Sequence, residues 1–440
     1  MKFYHLILCI LFYSISFSQS NTNNSNTNEP QIQNVGTLKK EQSLDSLSRY
    51  KTKESKSKLD KTTKKSKTPS KTKEIKEEEK TIQEKPVSSE SKSLEEFKIM
   101  DLESEGDLKN DLDQNAVQPQ EKTNQQLGSS FMQVKVAAST QTTQRSATIE
   151  QQVEMQEILN DYQQSAPNSF EYHYFKYVSG NYNVDLIGEL NQAYKLKPKS
   201  TEVQIQYAAF NFIKNDEKNL KKNLENLLEA KKIDAEVLLY SENLLESVCQ
   251  NGVLLTHGFD DTYSTLYVQK NKNKRSDVQI ISLDFMQSDY YKNSLKSLGY
   301  KIPIAQVIDV DFFKSFCELN ADKKLQISMT FPKPYLKAIS DKISVLGLSM
   351  IYNENIVNLA GKNEEIYKKI DNSNALDSYT TEKAKKLSSN YLPMLLSLKK
   401  EYESDSYRLK ENNDKIKALD IDIEKIKKQA NIQKSLKSYK

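Results

Sequence analysis

The stretch that decides the fold runs from Asn251 to Tyr300, NGVLLTHGFDDTYSTLYVQKNKNKRSDVQIISLDFMQSDYYKNSLKSLGY. It alternates two apolar, β-branched runs, Val253 to Thr256 and Val278 to Leu283, with two segments of helical period, Tyr263 to Gln269 and Tyr290 to Leu298. This alternation predicts parallel strands covered by crossover helices. In open sheets of that kind, ligands bind beyond the carboxyl ends of the strands.

The predicted sheet continues beyond this stretch. Lys323 to Thr330 predicts a third strand, Tyr335 to Val345 a helix, and Gly347 to Tyr352 a fourth strand. Pro332 and Pro334 mark a turn between them. The sequence therefore predicts a small parallel α/β module over residues 251–355.

Polar side chains stand where the first two predicted strands end. The candidate catalytic residues are His257, Asp260, Asp261 and Asp284, and the candidate ligand-binding residues are Thr262, Ser288 and Asp289. With Asp260 and Asp284 facing one another and His257 nearby, the group suits acid–base work, cation binding or the holding of sugar hydroxyls. The alternative is that Asp, Ser and Thr cap the helices that begin there.

Other chemistry has little support in the sequence. No two histidines have metal-ligand spacing, and there is no glycine-rich phosphate loop and no Gly-x-Ser-x-Gly nucleophile motif. The sequence predicts no metal and no cofactor, and it favours a function other than catalysis. Cys249 and Cys317 flank the first half of the module and are either a disulfide or two buried thiols.

Four short motifs connect the module with a known family. They are Gly258-x-Asp260-Asp261-Thr262-Tyr263, Leu266-Tyr267-x-Gln269, Arg275-x-Asp277-Val278 and Asp289-Tyr290-Tyr291. With them, residues 251–403 resemble the soluble C-terminal part of a bacterial membrane glycosyltransferase-like family. His257 and Phe259 depart from its usual Asn-Gly-Asp-Asn-Asp-Thr pattern. Because that family's catalytic work is assigned to a multi-spanning membrane part, the resemblance implies a fold and not an activity.

The first third of the chain predicts no packed core. Residues 1–18 are typical of a signal peptide, with Lys2, an apolar run from Leu6 to Phe12 and a small-x-small site at Ser16 to Ser18. Residues 19–148 are rich in Asn, Ser, Thr, Lys, Glu and Gln, which predicts a disordered low-complexity linker. Its lysines suggest nucleic-acid or anionic-surface binding, but acidic residues largely balance them. The net charge of +4 gives no reason to expect a nucleic-acid partner.

Two helical regions flank the module. Residues 149–250 have helical period, and Ala193 to Pro198 and Leu228 to Asp234 are similar endings about 35 residues apart, which predicts tetratricopeptide-like repeats. The alternative is an ordinary helical bundle. Residues 375–440 predict further helices. Apolar residues that recur every seven positions form a stripe along these helices. This stripe predicts either a homodimeric coiled coil or packing on the same domain. It comprises Tyr402, Leu409, Ile416, Ile423 and Ala430, with Leu419 and Ile426 at the alternate position.

The sequence as a whole predicts an α-rich α+β protein with a disordered N-terminal third. Two functions fit it. The first is an exported scaffold, in the periplasm or at the outer membrane and without a transmembrane span, that docks cell-envelope proteins of a secretion, motility or glycan-assembly complex. The second is an exported enzyme or sugar-binding protein that acts on a glycan through the acidic residues at the strand ends.

Overall fold

The computed structural model describes residues 119–139, 143–353, 358–372, 376, 379–404 and 409–432 of the 440-residue chain. The predicted signal peptide and the greater part of the predicted linker lie outside the described residues. Within those described, the α-rich α+β class is confirmed: helices surround one small sheet. No helix in this part of the chain is long and apolar enough to cross a membrane.

The helices that precede the sheet pack in successive pairs. They are α1 (Pro119–Ser139), α2 (Ile149–Ser165), α3 (Phe170–Ser179), α4 (Ile187–Leu196), α5 (Thr201–Ile213), α6 (Glu217–Glu229) and α7 (Ala235–Glu246). Five of them follow a Ser, Thr or Asp whose side-chain oxygen accepts a first-turn N–H, which fixes where they begin. The pairs α3–α4 and α5–α6 end at the two predicted repeat endings. That they are tetratricopeptide repeats stays a prediction.

Helix α1 lies where the sequence predicted linker, so the boundary at residue 149 was placed too late. Leu127, Phe131, Val134 and Ala138 recur at helical spacing along α1, and the last three are buried. The Phe131 ring stacks on Phe175 of α3 with ring centroids 4.3 Å apart. The abundant polar residues around this stripe hid it in the composition.

The sheet has five strands in the order β2-β1-β3-β5-β4. Its strands are β1 (Val253–Thr256), β2 (Gln279–Ser282), β3 (Leu325–Ser328), β4 (Ile343–Leu346) and β5 (Ser349–Tyr352). Strand β1 is parallel to β2 and β3, whereas β5 is antiparallel to β3 and to β4. The sheet is therefore mixed, and the prediction of a parallel module was wrong at this edge.

A tight hairpin explains the difference. Gly347 and Leu348 alone separate β4 from β5, and Gly347 has a positive φ of 58°. A two-residue turn with a left-handed first residue joins antiparallel strands, and glycine adopts that conformation without strain. The predicted helix from Tyr335 to Val345 is consequently short, and its second half is the strand β4.

Four helices alternate with the strands in the described part of the module. They are α8 (Gly258–Lys270) after β1, α9 (Asp289–Ser297) after β2, α10 (Val310–Leu319) before β3, and α11 (Lys333–Ala338) after it. A short 3-10 turn, Asp284–Gln287, lies between β2 and α9. The predicted order strand, helix, strand, helix over residues 251–300 is confirmed. Helix α8 is buried from Asp261 to Gln269, which makes it the central helix of the module.

Four helices follow the sheet in the described part of the chain. They are α12 (Leu359–Asn372), α13 (Glu382–Ser388), α14 (Leu392–Ser404) and α15 (Leu409–Gln429). The predicted stripe on α15 lies against the same chain: Leu419, Ile423 and Ile426 are buried in the core that includes the sheet. Helix α15 packs mainly on α14. This part of the stripe therefore packs on its own domain, and a homodimer through the C-terminal helix stays a prediction.

Candidate functional site

The predicted site lies where three parallel strands end. Strands β1, β2 and β3 end at Thr256, Ser282 and Ser328, and their carboxyl ends meet at one edge of the sheet. A buried polar network occupies this edge. Its members are His257, Asp261, Asp284, Ser328, Thr330 and, from far away in sequence, Arg145.

Asp284 forms an ion pair with Arg145. The Arg145 Nε and Nη2 atoms donate to Asp284 Oδ1 and Oδ2 at 2.6 Å and 3.0 Å, and each side chain is only 13% exposed. The Gly258 N–H donates to Oδ2 as well. Burial by itself would raise the pKa of the Asp284 carboxyl, but the charge and the hydrogen bonds of Arg145 outweigh it and hold this pKa below its usual value.

Arg145 belongs to a loop, residues 143–148, that is fastened beside the strand ends and is called the Arg145 loop below. The Arg145 N–H donates to the Ile308 carbonyl at 2.6 Å, and the Ser146 hydroxyl accepts from the Ile308 N–H at 2.7 Å. The Arg145 loop therefore brings a cation to the edge of the sheet at which α/β proteins bind ligands.

Asp261 is the buried acid at the centre of the network. The His257 N–H donates to its Oδ2 at 3.1 Å, and the Ser328 hydroxyl donates to its Oδ1 at 2.8 Å. Burial raises the pKa of the Asp261 carboxyl to about 7, although these hydrogen bonds act to lower it. Near neutral pH, this carboxyl is therefore divided between its charged and protonated forms.

The His257 ring is held in one tautomer. Its Nε2 lies 2.7 Å from the Thr330 carbonyl oxygen, which only accepts, so Nε2 carries the proton. Burial, followed by the Arg145 charge, lowers the pKa of His257 to about 4, which keeps the ring neutral at neutral pH. Within the described residues, its Nδ1 is buried and has no hydrogen-bond partner. The ring lies against Phe331 with centroids 4.6 Å apart.

Asp260 does not face Asp284, so that part of the prediction was wrong. The Lys383 ammonium of α13 donates to Asp260 Oδ1 at 2.9 Å. Burial raises the pKa of the Asp260 carboxyl, and Lys383 opposes the rise. Successive residues of a helix point about 100° apart, so when Asp261 faces the strand ends its neighbour Asp260 faces elsewhere.

The three predicted ligand-binding residues are not gathered into one group. Thr262 is buried, and its hydroxyl donates to Thr256 Oγ1 at 3.0 Å. Ser288 is buried at the start of α9, and within the described residues its hydroxyl has no partner. The Asp289 side chain is 90% exposed and pairs with Lys292 at 2.7 Å, so it lies outside the buried network.

The cysteines and metal ligands give no second site. No disulfide links Cys249 to Cys317 in the part of the chain that the structure describes, and Cys317 is buried on α10. Burial raises the pKa of the Cys317 thiol far above its usual value, so the thiol stays protonated. Across the described ranges, no three or more His, Cys, Asp or Glu side chains are arranged to hold a metal ion.

Reasoning from sequence missed Arg145 and Lys383, which neutralise the two aspartates. One signal was present. The chain has 64 Lys and Arg residues, of which only Arg49, Arg145, Arg275 and Arg408 are arginines. Where lysine is the usual cation, an arginine indicates a need for the planar, two-pronged guanidinium that holds a carboxylate. Arg275 does the same to Asp277, with contacts of 2.8 Å and 2.9 Å.

One protein family matches part of the chain. A family model described as TMEM260-associated domain 2 matches residues 237–436. This region begins in α7 and contains the whole sheet, His257, Asp261, Asp284 and α15, but not Arg145. The description names a domain and no activity. No curated protein and no solved structure matches the chain.

Replacing Asp261 by asparagine is expected to remove a pH dependence of stability. The carboxyl has a pKa of about 7 in the fold and about 3.9 in an unfolded chain. Because the folded state holds the proton more tightly, this group's stabilisation is complete below about pH 4 and is lost as the pH rises through about 7. We expect the wild-type free energy of unfolding to fall by about 2.5 kcal/mol between about pH 5 and about pH 8 through Asp261.

Asparagine imitates the protonated acid, so Asp261→Asn should flatten this dependence. Its amide can donate to Ser328 while its oxygen accepts from the His257 N–H. Denaturant titrations at the two pH values measure the difference. Asp289→Asn is the matched control, since its exposed carboxylate should leave the wild-type dependence unchanged. An equal slope in wild type and Asp261→Asn would show that Asp261 is ionised throughout.

Proposed function

We propose that this chain is an exported scaffold of the cell envelope that docks other proteins through its helical part. The observation that carries the proposal is that the chain's own groups hold the acidic residues at the strand ends. Arg145 holds Asp284, Lys383 holds Asp260, and Ser328 holds Asp261. These contacts support a structural role for the acidic residues, in which the network fastens the N-terminal and C-terminal helices to the sheet.

The helices before the sheet supply a surface that suits docking. Large apolar side chains are exposed on α1, α2 and α4, and they are Met132, Ile149, Val153 and Leu196. Each is between 42% and 48% exposed. Protein interfaces commonly centre on such side chains surrounded by polar ones.

An affinity pull-down from envelope extracts, read by mass spectrometry, tests the proposal. The baits are wild type, the surface variant Val153→Asp/Leu196→Asp, and the network variant Asp260→Asn/Asp261→Asn. The proposal predicts a stoichiometric protein partner that the network variant keeps and the surface variant loses. A glycan-bearing fraction that only wild type and the surface variant retain would overturn it.

A glycan-acting protein is the second candidate, and His257 and Asp261 favour it. A neutral imidazole with an unpartnered buried Nδ1 and a carboxyl with a pKa near 7 stand at the ligand-binding edge of the sheet. Such groups suit proton transfer near neutral pH. For this candidate, Asp261→Asn should abolish glycan retention without unfolding the protein.

A further inference from the structure

The loop after α9 forms a groove with that helix. The loop comprises residues 301–307, Lys-Ile-Pro-Ile-Ala-Gln-Val, and the groove lies between Ile302 to Ala305 on one side and Asp289, Lys292, Asn293 and Lys296 on the other. It is called the α9 groove below. It belongs neither to the polar network nor to the apolar surface of α1, α2 and α4.

The α9 groove is rimmed by apolar side chains in water. Ile304, on the loop side of the groove, is fully exposed. Ile302 and Pro303 line the groove beside it and are half-buried. An isolated exposed leucine is unremarkable, but several adjoining apolar side chains around a groove are typical of an interaction site.

The backbone of the loop is held at both ends and open between them. The Asn320 side chain accepts from the Lys301 N–H and donates to the Lys301 carbonyl, both at 2.8 Å. At the other end, Ile308 is bound to the Arg145 loop through its N–H and its carbonyl. Residues 302–307 make no hydrogen bond with any residue that the structure describes. The backbone groups of a fastened segment are thus left for another chain to bind.

The charge beside the groove is positive. Lys296 and Lys301 are exposed, and neither forms an ion pair with any described residue. Lys292 is already paired with Asp289. Two unpaired ammonium groups next to exposed isoleucine and open backbone amides complement a chain that carries carboxylates, an apolar side chain and carbonyl groups.

We propose that the α9 groove docks an extended acidic segment of a partner protein. The segment's backbone binds residues 302–307, one of its apolar side chains packs on Ile304, and its carboxylates meet Lys296 and Lys301. An anionic bilayer would satisfy the lysines and Ile304 but would leave the row of open backbone groups unused. The proposal rests on the protein-docking function above, and it specifies a second surface and the chemistry of its partner.

The test is fluorescence anisotropy of the full chain with a short fluorescein-labelled peptide of Glu-Val-Asp-Leu repeats. A peptide with Lys in place of each acidic residue is the charge control. We expect the acidic peptide to bind and the basic peptide to fail. Lys296→Glu/Lys301→Glu and Ile304→Asp should each weaken binding at least about tenfold. The matched controls are Lys199→Glu and Ile421→Asp, which change an exposed lysine and an exposed isoleucine elsewhere and should bind as wild type does.

Three results would overturn the proposal: no binding of the acidic peptide, unchanged binding by both groove variants, or binding of phosphatidylglycerol vesicles that the acidic peptide does not displace. Circular dichroism melting verifies that the variants fold, which is expected because the changed side chains are exposed. The two proposals fail separately. A pull-down partner lost by Val153→Asp/Leu196→Asp but kept by Lys296→Glu/Lys301→Glu preserves the scaffold even where the peptide does not bind.

Discussion

Replacing Arg145 by alanine is expected to lower the free energy of unfolding by about 3–5 kcal/mol, because a buried charge that loses its partner is strongly destabilising. The remaining carboxylate of Asp284 is 13% exposed, and it would keep only the Gly258 N–H of the donors described for it. The change also releases the Arg145 loop from the strand ends. Denaturant titration at neutral pH, analysed as a two-state transition, measures the loss.

Two further variants separate the buried charge from a general effect of losing a cation. Lys417→Ala removes the cation of an exposed pair with Asp414 and should cost less than about 1 kcal/mol. Arg145→Ala/Asp284→Asn leaves no charge behind and should recover a large part of the lost stability. If Arg145→Ala costs no more than Lys417→Ala, the ion pair between Arg145 and Asp284 is not formed in solution.

The same ion pair has a pH signature. Because the folded pKa of Asp284 is held below its unfolded value of about 3.9, the stabilisation is present above about pH 4 and is lost as the pH falls through the folded pKa. In Arg145→Ala, the Gly258 N–H is the donor that remains for Asp284, and we expect burial to outweigh it and to raise the pKa of this carboxyl. The contribution of Asp284 then changes sign, so acidification from neutral pH toward pH 4 should stabilise Arg145→Ala by more than the rise that Asp261 gives the wild type over the same range.

The parts of the fold that the sequence predicted are those that local pattern decides. The apolar runs ending at Thr256 and near Ser282 became strands β1 and β2, and the helical segments between and after them became α8 and α9. Strand β4 was missed because Ile343 to Leu346 pairs only with a neighbour across the Gly347 turn. This pairing depends on tertiary structure. It cannot be read from the stretch Tyr335 to Val345 itself, which has helical period.

In the candidate site too, local pattern predicted some residues and could not predict others. His257, Asp261 and Asp284 were found because strand ends of a parallel arrangement converge, and the structure brings all three together. Arg145 is 139 residues from Asp284 in the chain, and no local pattern links such a pair. Lys383 reaches Asp260 from 123 residues away. The sequence could therefore suggest the acids but not the cations that neutralise them.

Replacing Phe131 by alanine is expected to lower the free energy of unfolding by about 3–5 kcal/mol, the usual cost of removing a buried aromatic ring. Phe131 is fully buried and stacks on Phe175, although its segment has the composition of a linker. Met132 is the matched control. It follows Phe131 on the same helix and is 42% exposed, so Met132→Ala should change stability by less than about 0.5 kcal/mol.

The comparison of Phe131→Ala with Met132→Ala decides whether α1 is part of the folded core or an appendage to it. A large loss for Phe131 alone requires α1 to unfold together with α2 and α3, because the cavity then lies in a cooperative unit. Equal, small losses would mean that α1 opens independently, and the boundary of the fold would return to residue 149. If Phe131→Ala alone causes a large loss, the Arg145 loop is anchored on both sides, by α1 before it and by α2 after it. The ion pair with Asp284 would then fasten a rigid helical layer to the sheet.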